Sequence, residues 1–185
     1  CLVIDPGTED CAELLSLLGR KELTPRYILL THAHFDHVWG TPRLKSLYPD
    51  AEIVCTEECR ALLAQPRDYF IRLYKEGCDD VFSIPQVDVA VDRDTAFDWC
   101  GFRIELLLTP GHSSDSMCVK IGNRLFTGDT LLNQQKIVVN KRTGGSHEQL
   151  RGSVERIRQM ASEEEIEFYP GHGESPFTWS DYIFR

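Results

Sequence analysis

The sequence predicts an α/β sandwich, with sheets of mixed pairing covered by helices on their outer faces, in one domain over residues 1–185. Three observations predict it. Short apolar runs of strand length recur along the chain, and segments of helical period fall between them. Four of those runs end at turns that carry His or Asp. No internal repeat, low-complexity tract or linker interrupts the pattern.

The elements follow in order. Residues 1–4 read as a strand stopped by Asp5-Pro6-Gly7, a turn cluster. Thr8 is placed to cap a helix with Glu9 and Asp10 in its first turn and Leu14, Leu15 and Leu18 on one face. Residues 27–30 form a short apolar strand running straight into Thr31-His32-Ala33-His34-Phe35-Asp36-His37. A helix is expected over 38–48, a brief strand at 53–54, and a helix over 57–75 interrupted at Pro66. The second half reads as strands at 87–91, 102–108, 116–121 and 124–126, with Gly122-Asn123 as the hairpin turn between the last two. An amphipathic helix over 147–160 and a strand at 166–169 complete the set.

Composition narrows the function classes. With 42% hydrophobic and 26% charged residues, the chain has an ordinary globular balance. No apolar run approaches the roughly 18 residues of a membrane span, so a soluble, cytoplasmic protein is expected. The 29 acidic and 20 basic residues leave a net charge of -9 and no basic face. Nucleic acid and membrane are therefore not expected partners, and a small-molecule substrate is. Two bound divalent cations would add about four positive charges locally and invert the potential where chemistry occurs. Seven cysteines, an odd number with no CxxC pair, argue for free thiols in a reducing compartment. Cys55 and Cys59, four apart, suit one face of a helix better than a metal knuckle. The chain opens at Cys1, directly in a strand-like run, which implies an upstream segment.

Five of the six histidines fall in turns that follow apolar runs, and Asp129 sits in the same setting. In extended backbone, alternate side chains point the same way, so His32 and His34 can reach one metal together. His112 completes a three-nitrogen site with a position left for water, the composition of a catalytic zinc site. If the chain then turns into a helix, Asp36 and His37 can be aimed at a neighbouring point, where His172 makes a second nitrogen-and-oxygen set. Asp129 has two oxygens and can bridge both ions. Three imidazoles within six residues have no common structural use, so the His32–His37 stretch carries the metal reading. His147 reads as the start of a helix. Two divalent ions are thus expected, zinc by default, with iron and manganese compatible with the ligand types.

The stretches THAHFDH, TPGHSSDS, FTGDT and YPGHGE resemble the successive motifs of the metallo-β-lactamase-fold hydrolases, in order and over nearly the whole chain. The Asp5-Pro6-Gly7 turn also matches. The resemblance implies a four-layer αβ/βα sandwich lacking its first N-terminal strand or strands in this chain. It assigns His32, His34 and His112 to one metal, Asp36, His37 and His172 to the other, and Asp129 to both. Within the superfamily the match is closest to the glyoxalase II-like (hydroxyacylglutathione hydrolase-like) branch, without its C-terminal helical domain. An aspartate at 129 is not typical of the zinc β-lactamases. The usual GHTxG stretch is here His112-Ser113-Ser114-Asp115-Ser116, and KIVVNKRTGGS over 136–146 replaces a segment often reading G-R-T-D.

The expected reaction is hydrolysis of a thioester or related ester or lactone by water activated at two metals. No GxSxG elbow is present. Asp36 is a candidate for proton transfer as well as metal binding. Lys141 and Arg142 are candidates for meeting an acidic substrate, against the alternative of solvated surface charge. Competing expectations are a mononuclear iron persulfide dioxygenase, a nuclease of the same superfamily, and a non-catalytic module.

Overall fold

The computed structural model describes residues 1–7, 10–65, 84, 86–139 and 141–183, the side chain of Arg142 aside. The chain forms two compact units, Cys1–Ala90 and Val91–Arg185. In the first, β1 (Leu2–Ile4), β2 (Tyr27–Leu29) and β3 (Glu52–Thr56) pair in parallel, with Val3 beside Ile28 and Ile28 beside Ile53. A short strand β4 (Val89–Val91) adds to the β3 edge. Parallel pairing demands crossovers. Helix α1 (Ala12–Arg20) supplies the first, and α2 (Phe35–Val38) with α3 (Thr41–Leu47) supplies the second. Helix α4 (Glu57–Leu63) follows β3, capped by Thr56, whose hydroxyl accepts from Cys59 N–H at 3.1 Å. Val3, Ile28, Leu30, Leu44, Ile53 and Leu63 form the core of this unit.

Some local expectations differ. Helix α1 begins at Ala12 because Cys11 takes a left-handed conformation, φ 50°; Thr8 and Glu9 lie outside the described residues. The helix expected over 38–48 is two helices. Gly40 N–H donates to the Pro6 carbonyl at 2.8 Å, and Pro42 in the first turn of α3 has no N–H to carry a ladder through. Of the helix expected over 57–75, the part beyond residue 65 lies outside the described residues. Cys55 lies on β3 and Cys59 on α4, both buried, so they do not share a helix face.

In the second unit β5 (Thr95–Trp99), β6 (Phe102–Leu108), β7 (Met117–Ile121) and β8 (Arg124–Gly128) run antiparallel, and β9 (Glu167–Pro170) joins β8 in parallel. Helix α5 (His147–Glu163) makes that last crossover. Gly122 takes φ 59° at the first central position of the β7–β8 turn, where a type II′ turn wants glycine. Strand β5 has no counterpart in the sequence reading. It returns through Cys100-Gly101, with φ 51° and 80°, the left-handed pair of a type I′ turn. Cysteine is not a usual residue there, which hid the hairpin. Leu107, Leu125, Leu131, Ile157, Phe168 and Phe177 form the core of this unit. Among the described residues no helix is long and apolar enough to cross a membrane.

Candidate metal centre

The HAHFDH stretch is held by its apolar members. Ala33, Phe35 and Val38 are buried in the first unit's core, and Phe35 packs on Trp39 with ring centroids 3.6 Å apart. The intervening histidines are left to face one another. His32 lies with its ring centroid 4.5 Å from that of His34 and 4.1 Å from that of His37. Asp36 sits in the first turn of α2, one residue before His37.

A chain of hydrogen bonds selects which nitrogen each ring presents. Asp5 accepts from Thr31 N–H at 2.8 Å, from the Thr31 hydroxyl at 2.6 Å and from His37 Nδ1–H at 2.8 Å. A carboxylate only accepts, so His37 carries its proton on Nδ1 and offers the Nε2 lone pair. The Thr31 hydroxyl, its own proton committed to Asp5, accepts from His32 Nδ1–H at 3.0 Å. His32 therefore also offers Nε2, and that atom lies 3.0 Å from Nδ1 of His34. Two nitrogen ligands on a tetrahedral zinc, each about 2.0–2.1 Å from it, sit roughly 3.3 Å apart, so this pair fits a shared ion. Asp5, His32 and His37 also bring one ligand atom each within 4.8 Å of one another. Asp5, however, is engaged in orienting the rings, the outer-sphere part that keeps a metal ligand in its tautomer.

The second unit assembles three more of the expected ligands. Asp129 Oδ2 lies 3.6 Å from Nε2 of His112 and 3.6 Å from Nε2 of His172. His112 donates from Nδ1 to the Val138 carbonyl at 2.6 Å; a carbonyl has no proton to give, so Nε2 is again the lone-pair atom. His112 comes at the end of β6, where Leu108 N–H and the Arg156 guanidinium both donate to Asp94, and Arg156 also donates to the Leu108 carbonyl. Gly171 N–H donates to the Gly128 carbonyl at 2.8 Å, tying the His172 loop to the Asp129 turn. The tight approach of Gly111 to α5 fixes the other side of His112: a Cβ there would lie 2.3 Å from Leu150 backbone atoms.

The expected ligands thus lie in two groups: His32, His34 and His37, with Asp36 beside His37 on α2, in one unit, and His112, Asp129 and His172 in the other. The donor chemistry, neutral imidazole lone pairs with carboxylate oxygens, fits divalent transition ions. Asp5 and Val138 are the contributors that sequence reasoning missed. His147 opens α5 as expected. Lys141 starts a 3₁₀ turn, Lys141–Thr143, and is exposed, while the Arg142 side chain lies outside the described residues. Cys118 lies in the core behind this site, where burial pushes its thiol up to about 11, outweighing the bonds to Thr109 and Thr130. It is no nucleophile.

Two sheets with helical crossovers and turn-borne imidazoles define an α/β protein of metal-binding type. A model of the metallo-beta-lactamase superfamily matches residues 1–175, and the chain belongs to that superfamily. It is 30% identical to an uncharacterised protein of Mycobacterium leprae over 94% of this chain and 81% of that one. It is 29% identical to the probable polyketide biosynthesis zinc-dependent hydrolase BaeB of Bacillus velezensis, over 95% of this chain and 69% of that one. It is also 30% identical to a hydroxyacylglutathione hydrolase of Edwardsiella ictaluri over 86% of this chain, which spans 53% of that relative. Among solved structures, the B3 metallo-beta-lactamase BLEG-1 superposes with a TM-score of 0.81 at 28% identity, over 96% of this chain and 82% of that one. TTHA1623 in a di-iron-bound form gives 0.73 at 29%, over 96% and 83%. ETHE1 from Myxococcus xanthus gives 0.69 at 24%, over 95% and 67%, a likeness of fold.

Proposed function

We propose that this chain is a metal-dependent hydrolase of thioesters or related esters and lactones. His32, His34 and His112 would hold one divalent ion, Asp36, His37 and His172 a second, and Asp129 would serve both. The observation that carries this reading is the hydrogen-bonded fixing of His37, His32 and His112, each left with a lone pair on Nε2. Rings fixed in that way are ligands rather than proton shuttles. When bound, a divalent pair supplies Lewis acidity, making hydroxide available at neutral pH and polarising a carbonyl.

The chain's own residues do the rest. With the three rings fixed, proton movement falls to a carboxylate, and Asp36 is the candidate because its position adjoins His37 without being one of the orienting groups. Cys118 is buried and protonated, consistent with a route that needs no protein nucleophile. Relatives named as a hydroxyacylglutathione hydrolase and a zinc-dependent hydrolase support hydrolysis of acyl bonds. Zinc is the proposed metal; a relative of known structure in a di-iron form keeps iron in the test.

The test is elemental analysis of the purified protein beside a panel of thioesters, lactones, phosphodiesters, a thiol persulfide and a β-lactam. Two ions per chain with turnover of thioesters or lactones is the expected result. One iron per chain with oxygen uptake on the persulfide, or turnover of the phosphodiester or β-lactam alone, overturns it.

A further inference from the structure

Residues 131–139 and 141–146 touch the loops of His112 and His172 and follow Asp129 in the chain. Gln135 lies so close to Gly173, beside His172, that a Cβ on the glycine would come within 2.7 Å of the Gln135 amide nitrogen. The Val138 carbonyl accepts from His112, and the Thr143 carbonyl accepts from Ser114 N–H at 2.9 Å. Asn133 Oδ1 accepts from Ile183 N–H at 3.0 Å. Leu131 and Ile137 turn inward and are buried, the latter 9% exposed, whereas Val138 is 65% exposed. No other large apolar residue described is as open to solvent.

We propose that Val138 is a specificity-determining residue, against which an apolar acyl chain of the substrate packs. The inference rests on the reading of this site as an acyl-bond hydrolase. Single exposed apolar residues are common on proteins and need no explanation by themselves. Val138 differs by where it is fastened. Its carbonyl is fixed 2.6 Å from the ring of His112, and the buried Ile137 anchors the residue before it. The side chain is consequently held at the margin of a ligand loop, and its β-branched form leaves few rotamers to freeze on binding. A straight acyl chain laid against it gains affinity with length, about fourfold for each methylene removed from water. The same backbone bond that orients His112 thus ties acyl recognition to the ligand set.

The test separates binding from turnover. Acetate, butyrate and hexanoate, as product analogues, are titrated calorimetrically into the zinc-loaded wild type, Val138→Asp, Val138→Ser and Val138→Leu. Hydrolysis of the matching S-acyl N-acetylcysteamine thioesters is followed in parallel. Wild type and Val138→Leu are expected to bind the longer acids more tightly, by about fourfold per methylene, and both polar variants to lose that slope. Zinc content should stay constant throughout, since the backbone and not the side chain meets His112. Equal slopes in wild type and both polar variants, or no slope in wild type, overturn the role of Val138. A wild-type slope lost in the polar variants without hydrolysis of any thioester keeps it and removes the hydrolase reading instead.

Discussion

Asp5 and His37 meet through a 2.8 Å hydrogen bond from Nδ1 to Oδ2, and that bond decides which nitrogen of the ring carries the proton. The same carboxylate reaches His32 through the Thr31 hydroxyl. One side chain at the end of β1 therefore sets the tautomer of two rings 27 and 32 residues further along (32 − 5 and 37 − 5).

Replacing Asp5 tests that relationship. Asparagine tolerates the left-handed backbone that Asp5 adopts, φ 49°, so Asp5→Asn keeps the turn. Its amide offers only one accepting oxygen to the Thr31 and His37 donors. Zinc affinity, measured by competition with a chromophoric chelator, is expected to fall about 10–100-fold with the circular dichroism spectrum unchanged. Wild-type affinity in the variant would show that Asp5 supports only the fold.

Asp129 makes a different prediction, because its Oδ2 stands at the same 3.6 Å from both His112 and His172. A carboxylate serving two ions cannot be lost from one alone. Asp129→Ala is expected to lower the metal content from two ions per chain to one or fewer, and kcat/KM on a responsive ester by about 100-fold or more. Retention of two ions by this variant would exclude a bridging role.

The candidate ligands could be picked out in the sequence and the groups that orient them could not, for a physical reason. Imidazoles crowded into a strand-to-helix turn have few other uses, so His32, His34 and His37 announce themselves. Asp5 stands in an Asp-Pro-Gly turn, and its residue type is explained by that turn alone; its partners lie 26 and 32 positions away. Val138 acts through a carbonyl, which every residue possesses, so no side-chain pattern marks it. The strands were readable where branched and apolar residues run long, as in β6. Strand β5 was missed because its turn uses Cys100 in a left-handed conformation usually taken by Asn, Asp or Gly. The break between α2 and α3 depends on a bond from Gly40 to Pro6, a long-range contact that local periodicity does not encode.

Acid stability should report the clasp at the end of β6. Burial alone would raise the pKa of Asp94, but the hydrogen bonds from Arg156 and Leu108 N–H, with the Arg156 charge, hold it below its ordinary value. A depressed folded pKa gives stability that is present above the unfolded value, near 3.9, and lost as pH falls through the folded one. Asp94→Asn is expected to lower Tm by about 2–4 °C at neutral pH, for roughly 1 kcal/mol. The gap from wild type should close below about pH 4. Measured on metal-free protein, a gap that stays constant down to pH 2 would remove Asp94 ionisation as the cause.

Two glycines beside the same helix should respond to alanine with opposite signs. Gly111 precedes His112 and has φ 146°, and a Cβ there would lie 2.3 Å from Leu150 N and Cα, backbone atoms that cannot turn aside. Accommodating it requires α5 or the His112 loop to move, and the Gly111 carbonyl that accepts from Ser146 N–H at the helix start moves with it. Overpacking of this kind costs about 3 kcal/mol, and here it also displaces His112. Gly152, one turn inside α5, has nothing within 4 Å of its would-be Cβ and no positive φ. Gly152→Ala should therefore stabilise by about 0.5–1 kcal/mol through helix propensity alone. Thermal unfolding of the two variants, with and without added zinc, checks both. Gly111→Ala should lose much of the zinc-induced rise in Tm, while Gly152→Ala keeps it; equal responses would mean that the contact of Gly111 with α5 does not position His112.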